Sequence, residues 1–252
     1  MFNTGCGRAG GLSGPALPSQ CSPALFGGMC GRYRFKDPKL IAEAVRAVLG
    51  GDATMAEFLQ RWNVAPSQLL PVAHAHDGTS RVENMRWGLV PFWDKSDKPK
   101  IAPINARSEE AFAKPMFRQS VQRRRCLVPA DAFYEWKRLD LKTKIPFCIA
   151  RRNERPFFFA GIFEPAVADL RPASFALLTT APNELVARIH DRMPVMLDGE
   201  PARAWLRDAA LSEGDYRALC TAYPADDMVA WEVSPRVGNP RNEAPDVCEP
   251  VA

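Results

Sequence analysis

"IPFCIARRNERPFFFAGIFEPAVADLRPASFALLTTAP", residues 145–182, holds three short apolar runs divided by turn residues. The runs over 145–152, 157–165 and 174–182 have strand length, and Asn, Asp and Pro punctuate the gaps between them. Further strands read out on both sides: "LLPVAHAH" (69–76), "VENMRWGLVPFW" (82–93) and "MVAWEVSP" (228–235). Helices are fewer. "DPKLIAEAVRAVLGG" (37–51) sets Asp37 as N-cap, Pro38 at the first helical position and a glycine stop. Shorter helical stretches are expected near 108–122, 183–188, 199–207 and 212–222. Strands that cluster, rather than alternate with long helices, predict an α+β fold. The expectation is one domain with a mainly antiparallel sheet or barrel, flanked by short helices.

The 252 residues are 46% hydrophobic and 10% aromatic, enough for a sizeable core. No repeat or composition break divides residues 30–250. Residues 1–28 differ, being rich in Gly, Pro, Ser and Ala with few large apolar groups. Such a segment cannot offset its ordering entropy, so it is expected to be a disordered extension, or a mis-assigned start or leader, ahead of a domain over 29–252. Its G-x-G-x-x-G at Gly5, Gly7 and Gly10 has no strand before it and no helix after it, and so makes no nucleotide loop. The net charge is +4, and Arg8 is the one charge in 1–28, which leaves +3 on the rest. That balance neither demands nor excludes nucleic acid. Seven scattered cysteines with no C-x-x-C pair fit reduced thiols in the cytoplasm. No run approaches the roughly 18 apolar residues of a membrane span, and no secretory h-region is present.

Four places carry candidate chemistry. In "MCGRY" (29–33), Cys30 would present an α-amine and a thiol on neighbouring carbons if it became the first residue. An α-amine titrates near ~7.8 against ~10.4 for lysine, so far more of it is neutral and nucleophilic at pH 7. With an aldehyde the amine forms a Schiff base, and the thiol closes a thiazolidine ring. The other reading of Cys30 is a small buried cysteine. In "IAPINARSEEAF", Asn105 can hold a carbonyl or orient an amine, and the fork of Arg107 suits a phosphate; the same residues also fit a plain helix entry. In "ADAFYEWK", period-two alternation separates Glu135 from its aromatic neighbours. Glu135 is either a carboxyl of raised pKa suited to general acid work, or an edge-strand glutamate facing solvent. In "ARIHDRMPV", His190 is one of three histidines and suits proton transfer, or serves the loop structurally. His74 and His76 share a strand face, but no cysteine or acid stands at metal-ligand spacing. Basic "RRR" (123–125) and "KSDKPK" (95–100), with Trp87 and Trp93, fit either a groove for stacked bases or core tryptophans with solvated cations.

Taken in order, "MCGRY", "WNVAPSQ", "RWGLVPFW", "INARSE", "FYEWK", "IHDRMPV" and "VSPRVGNPRN" resemble the SOS response-associated peptidase family, over residues 29–252. The resemblance implies a single α+β domain, built on a barrel-like antiparallel sheet with a positively charged groove, that crosslinks to abasic sites in single-stranded DNA. It implies that Cys30, once first, bonds to the ring-opened sugar and ends as a thiazolidine. By the same resemblance Asn105 lies beside the cysteine amine, Glu135 is the acid/base, and His190 assists Schiff-base formation and sugar opening. Arg32 and Arg107 would grip phosphates, Pro66 and Trp87 would fall in the DNA-binding segments that wedge and stack flanking bases, and Thr179 or Arg192 would add backbone contacts. The family's peptidase name implies removal of whatever precedes the cysteine. This chemistry requires no cofactor and no metal. A monomer is expected. Two other functions stay open: a thiol peptidase acting on other proteins, with Cys30 and His190, and a noncovalent single-strand binding module in which Cys30 is dispensable.

Overall fold

The computed structural model describes residues 1, 31–50, 53–76, 78–96, 98–168, 170–207 and 209–251; the readings of the N-terminal segment and of Cys30 lie outside the described residues. The strands are β1 (Arg32–Phe35), β2 (Arg61–Val64), β3 (Leu69–His76), β4 (Thr79–Trp87), β5 (Asn105–Arg107), β6 (Arg125–Ala130) and β7 (Ala132–Arg138). They continue with β8 (Lys144–Arg151), β9 (Phe157–Glu164), β10 (Ser174–Thr180), β11 (Met193–Pro194), β12 (Met196–Leu197) and β13 (Met228–Glu232). The α-helices are α1 (Pro38–Leu49), α2 (Ser108–Ala111), α3 (Pro115–Arg123), α4 (Gly199–Leu206) and α5 (Glu213–Leu219).

The strands form two sheets. One runs β13-β8-β7-β1-β2; the other runs β11-β10-β4-β3-β6-β9-β12, with β5 added beside β10. A further pairing of β10 with β9 closes β10-β4-β3-β6-β9 into a ring. Pairing is antiparallel except where β10 meets β4 and β5. The expected α+β, barrel-like architecture is present. Aromatic side chains fill the core between the sheets. Tyr33 lies 5.4 Å from Trp87 and 5.6 Å from Phe159, and Trp87 stacks on Phe175 at 6.2 Å. Offset and edge contacts of this kind add to the burial of the rings themselves.

Helix α1 forms as its sequence directs: Asp37 accepts hydrogen bonds from the Lys39 and Leu40 amides, Pro38 opens the helix, and Ile41 and Val45 turn inward. The strand expected over 82–93 instead starts at Thr79 and stops at Trp87, because Gly88 takes φ 131° and the Leu89 amide leaves for the Pro103 carbonyl. The helix expected over 108–122 is two helices, since Lys114 is extended before Pro115, which opens α3. The stretch near 183–188 is a single 3-10 turn, Val186–Arg188. Only Arg123 of the "RRR" patch is at the surface: Arg124 pairs with buried Glu164, and Arg125 donates to the Trp205, Val121 and Gln122 carbonyls. His74 is buried as well, against Phe163, with Glu83 at 3.3 Å.

Burial also fixes the thiols. Cys126, Cys148, Cys220 and Cys248 are all buried, and desolvation pushes each thiol up, that of Cys220 to about 12. None of these four offers a thiolate near neutrality. No helix among the described residues is long and apolar enough to cross a membrane.

Candidate active site

The site lies where the two sheets meet. On the five-stranded side, β1 and β7 pair with Arg32 opposite Tyr134 and Tyr33 opposite Phe133. Carried one residue further, this register sets Gly31 opposite Glu135. On the ring side, β10 exchanges neighbours along its length: β4 flanks Ser174 and Phe175, then β5 flanks Leu177 to Thr179. Thr179 thus pairs with Arg107 on one side and with Pro194 of β11 on the other. That three-strand register brings "INAR" and "IHDRMP" together from positions more than eighty residues apart.

A cavity of about 980 Å³ opens at this junction. Gly31, Arg32, Pro66, Ile104, Arg107, Glu135, His190 and Arg192 line it, together with Trp136, Arg138 and Lys144. Of the residues expected at the site, six therefore face one space. Asn105 sits between Ile104 and Arg107, on the strand face opposite buried Ala106. Glu135 is 2% exposed and stands on a strand flanked on both sides, so the reading of it as a solvent-facing edge residue falls.

His190 is held by its own loop. The Arg192 amide donates to its Nδ1 at 3.1 Å, and Asp191 Oδ1 also lies 3.1 Å from Nδ1. In the neutral ring that amide makes Nδ1 the acceptor and leaves the proton on Nε2; in the charged ring Nδ1–H faces Asp191. Arg192 is clamped. Glu109 accepts from both of its terminal nitrogens at 2.7 Å, and the Thr179 carbonyl accepts from Nη2. Arg32 spends Nη1 on Asn63 and the Val237 carbonyl and Nη2 on the Gly238 carbonyl, tying β1 to the closing "VSPRVGNPRN" segment. Burial lowers its pKa below the ordinary arginine value. Arg107, by contrast, has a side chain more than half exposed, and its ion-pair contact among the described residues is a loose one with Glu110, at 3.9 Å.

Two expectations need correction. Trp87 has no exposed surface; its indole Nε1 donates to the Ile104 carbonyl at 2.9 Å, so it anchors the segment leading into β5 and offers no face to a base. The aromatic that lines the cavity is Trp136, and the exposed aromatics of the same motif are Phe92 and Trp93, edge to face at 5.0 Å. Thr179 is likewise fully buried, and its part is to register β5 and β11 and to hold Arg192. Sequence reading missed Trp136, Arg138 and Lys144 as lining residues. The signal was available in "EWKRLDLKTK", a basic hairpin that follows Glu135 directly. Among the described residues no cluster of three or more His, Cys, Asp or Glu could hold a metal ion.

Residues 29–240 match the family described as SOS response associated peptidase (SRAP). The chain belongs to that family. It is 42% identical over 195 residues to the Bacillus subtilis protein named abasic site processing protein YoqW, covering 77% of this chain and 87% of the relative. It is 32% identical over 230 residues to abasic site processing protein YedK of Escherichia coli, covering 88% of this chain and 100% of that one. Among solved structures, a Bacteroides thetaiotaomicron protein superposes with a TM-score of 0.75 at 26% identity, covering 88% of this chain and 100% of that one. The SRAP match begins at Met29, one residue before Cys30.

Proposed function

We propose that this SRAP protein reacts with abasic sites in single-stranded DNA and becomes covalently attached through Cys30. The supporting observation is that Gly31, Glu135, His190 and Arg107 line one cavity, and Gly31 is bonded directly to Cys30. The names of the relatives support the choice of substrate. In this reading Arg107 receives a phosphate beside the lesion, and Asn105 orients the amine.

The chemistry begins once Cys30 carries a free α-amine. Hydrolysis of the Met29–Cys30 bond supplies it, with the Cys30 thiol as the attacking group and water consumed, or translation starts at Met29 and Met29 is removed. His190 moves a proton to open the sugar hemiacetal to its aldehyde. The neutral amine adds to that carbonyl carbon, and Glu135 protonates the departing hydroxyl, which leaves as water. The Cys30 thiol then adds to the imine carbon as its proton passes to the nitrogen, closing the thiazolidine. The four buried thiols have no such access to substrate.

The test mixes N-terminally processed protein with an abasic oligonucleotide and looks for a heat-stable shifted band. Cys30→Ala should abolish it, and an intact strand should give none. A heat-stable adduct of undiminished yield from Cys30→Ser would overturn the ring-closing step.

A further inference from the structure

The cavity is lined not only by Glu135 but also by the hairpin formed by β7 and β8. From that hairpin come Trp136, Arg138 and Lys144. Arg138 and Lys144 are directly opposite one another in the β7–β8 register. Like charges in that position oppose each other and weaken a hairpin. Among the described residues no carboxylate is in ion-pair contact with either. The nearby acid, Asp140, is turned back into the loop, accepting from the Lys142 and Thr143 amides at 2.7 and 2.8 Å. Those bonds hold its carboxyl below the usual aspartate value. The tip also exposes two leucines, Leu139 at 55% and Leu141 at 93%. Leu139 and Leu141 are thus apolar surface set directly beside the cations Lys137, Arg138, Lys142 and Lys144.

We infer that this hairpin tip is a binding element for the DNA strand that continues past the lesion on one side. Arg138 and Lys144 take its phosphates, and Leu139 and Leu141 lie against sugar and base faces. The inference rests on the abasic-DNA reading of the cavity. Reach fits: Arg138 lies three residue steps along β7 from Glu135, about 10 Å, the distance of the next few phosphates along a strand. Charge complementarity and continuity with the cavity select a nucleic acid strand over an apolar partner.

The experiment measures binding of the full chain to a labelled, intact single-stranded oligonucleotide across a salt series. Arg138→Ala/Lys144→Ala should bind about fivefold to tenfold more weakly near 50 mM salt, with a slope of log K against log salt shallower by about 1.4. Leu139→Ser/Leu141→Ser should weaken binding by about threefold and leave the slope unchanged. Processed protein is then given abasic oligonucleotides cut back on one side of the lesion or the other. The crosslinking defect of the charge variant should persist with one flank and vanish with the other. Unchanged affinity and slope in both double variants overturn the inference, as do equal defects with either flank. The two readings separate cleanly. A chain that binds through the hairpin but never crosslinks sinks the reaction alone, and one that crosslinks with an inert hairpin sinks this inference alone.

Discussion

The ring and the five-stranded sheet are built from the same kinds of strand, yet they do opposite jobs. In the ring, β9 and β10 are buried at every position, and even Glu164 of β9 is spent on Arg124, which ends α3. In the other sheet, β7 is buried from Ala132 to Glu135, then emerges at Trp136 and is exposed by Arg138. One strand thus runs from core to cavity to solvent. Close packing tolerates little change of shape, whereas a strand that leaves the core can carry charge and exposed rings at small cost in stability. The site falls at the seam because there each side chain is braced by one sheet and uncovered by the other.

Two tryptophans separate the roles most sharply. Trp87→Ala removes a fully buried ring from the ring-side core together with its hydrogen bond to Ile104. It should lower unfolding free energy by about 3–5 kcal/mol. Equilibrium denaturation reads this directly, and a loss below about 1 kcal/mol would mean that the wall is not close-packed there. Trp136→Ala should behave in the opposite way. It should leave the melting temperature within a few degrees and weaken single-strand binding by about 1–3 kcal/mol, read by anisotropy. Equal effects of both substitutions on stability and binding would erase the distinction between wall and mouth.

The sequence exposed most of the architecture and less of the site. Helix α1 was legible because its cap, proline and glycine stop are local signals. Strands β8, β9, β10 and β13 were legible because turn residues bound continuous apolar runs. Strands β1, β2, β5, β6 and β12 went unread. Apart from the six-residue β6, each is two to four residues long, and only its pairing with a distant partner makes it a strand. For the same reason, motif matching found Arg107 and His190 but could not show that Thr179 joins the strand of Arg107 to β11, which follows the His190 loop. The fate of Trp87 was hidden by its composition: a tryptophan beside a basic residue reads alike whether it stacks on a base or fills a core. Only the accessible surface decides, and that depends on both sheets.

The smallest predicted effect sits on the seam itself. Glu109, in the first turn of α2, accepts two hydrogen bonds from Arg192, whose amide in turn holds His190. Those bonds hold the Glu109 carboxyl below the ordinary glutamate value. The sign follows from that direction. The folded state prefers the ionised form, so the stabilisation is fully present above the unfolded value near ~4.3 and is lost as pH falls through the lower folded value. Because Glu109 is about half exposed, solvent screens the pair and keeps the effect small. Glu109→Gln should therefore be slightly less stable than the parent at pH 6–7, and the gap should close as acid protonates the parent's carboxyl. Chemical denaturation at several pH values measures both curves. A gap that stays constant down to the acid limit would show that Glu109 braces Arg192 by shape alone. The two rows of residues that Thr179 joins would then be held by backbone register without help from charge.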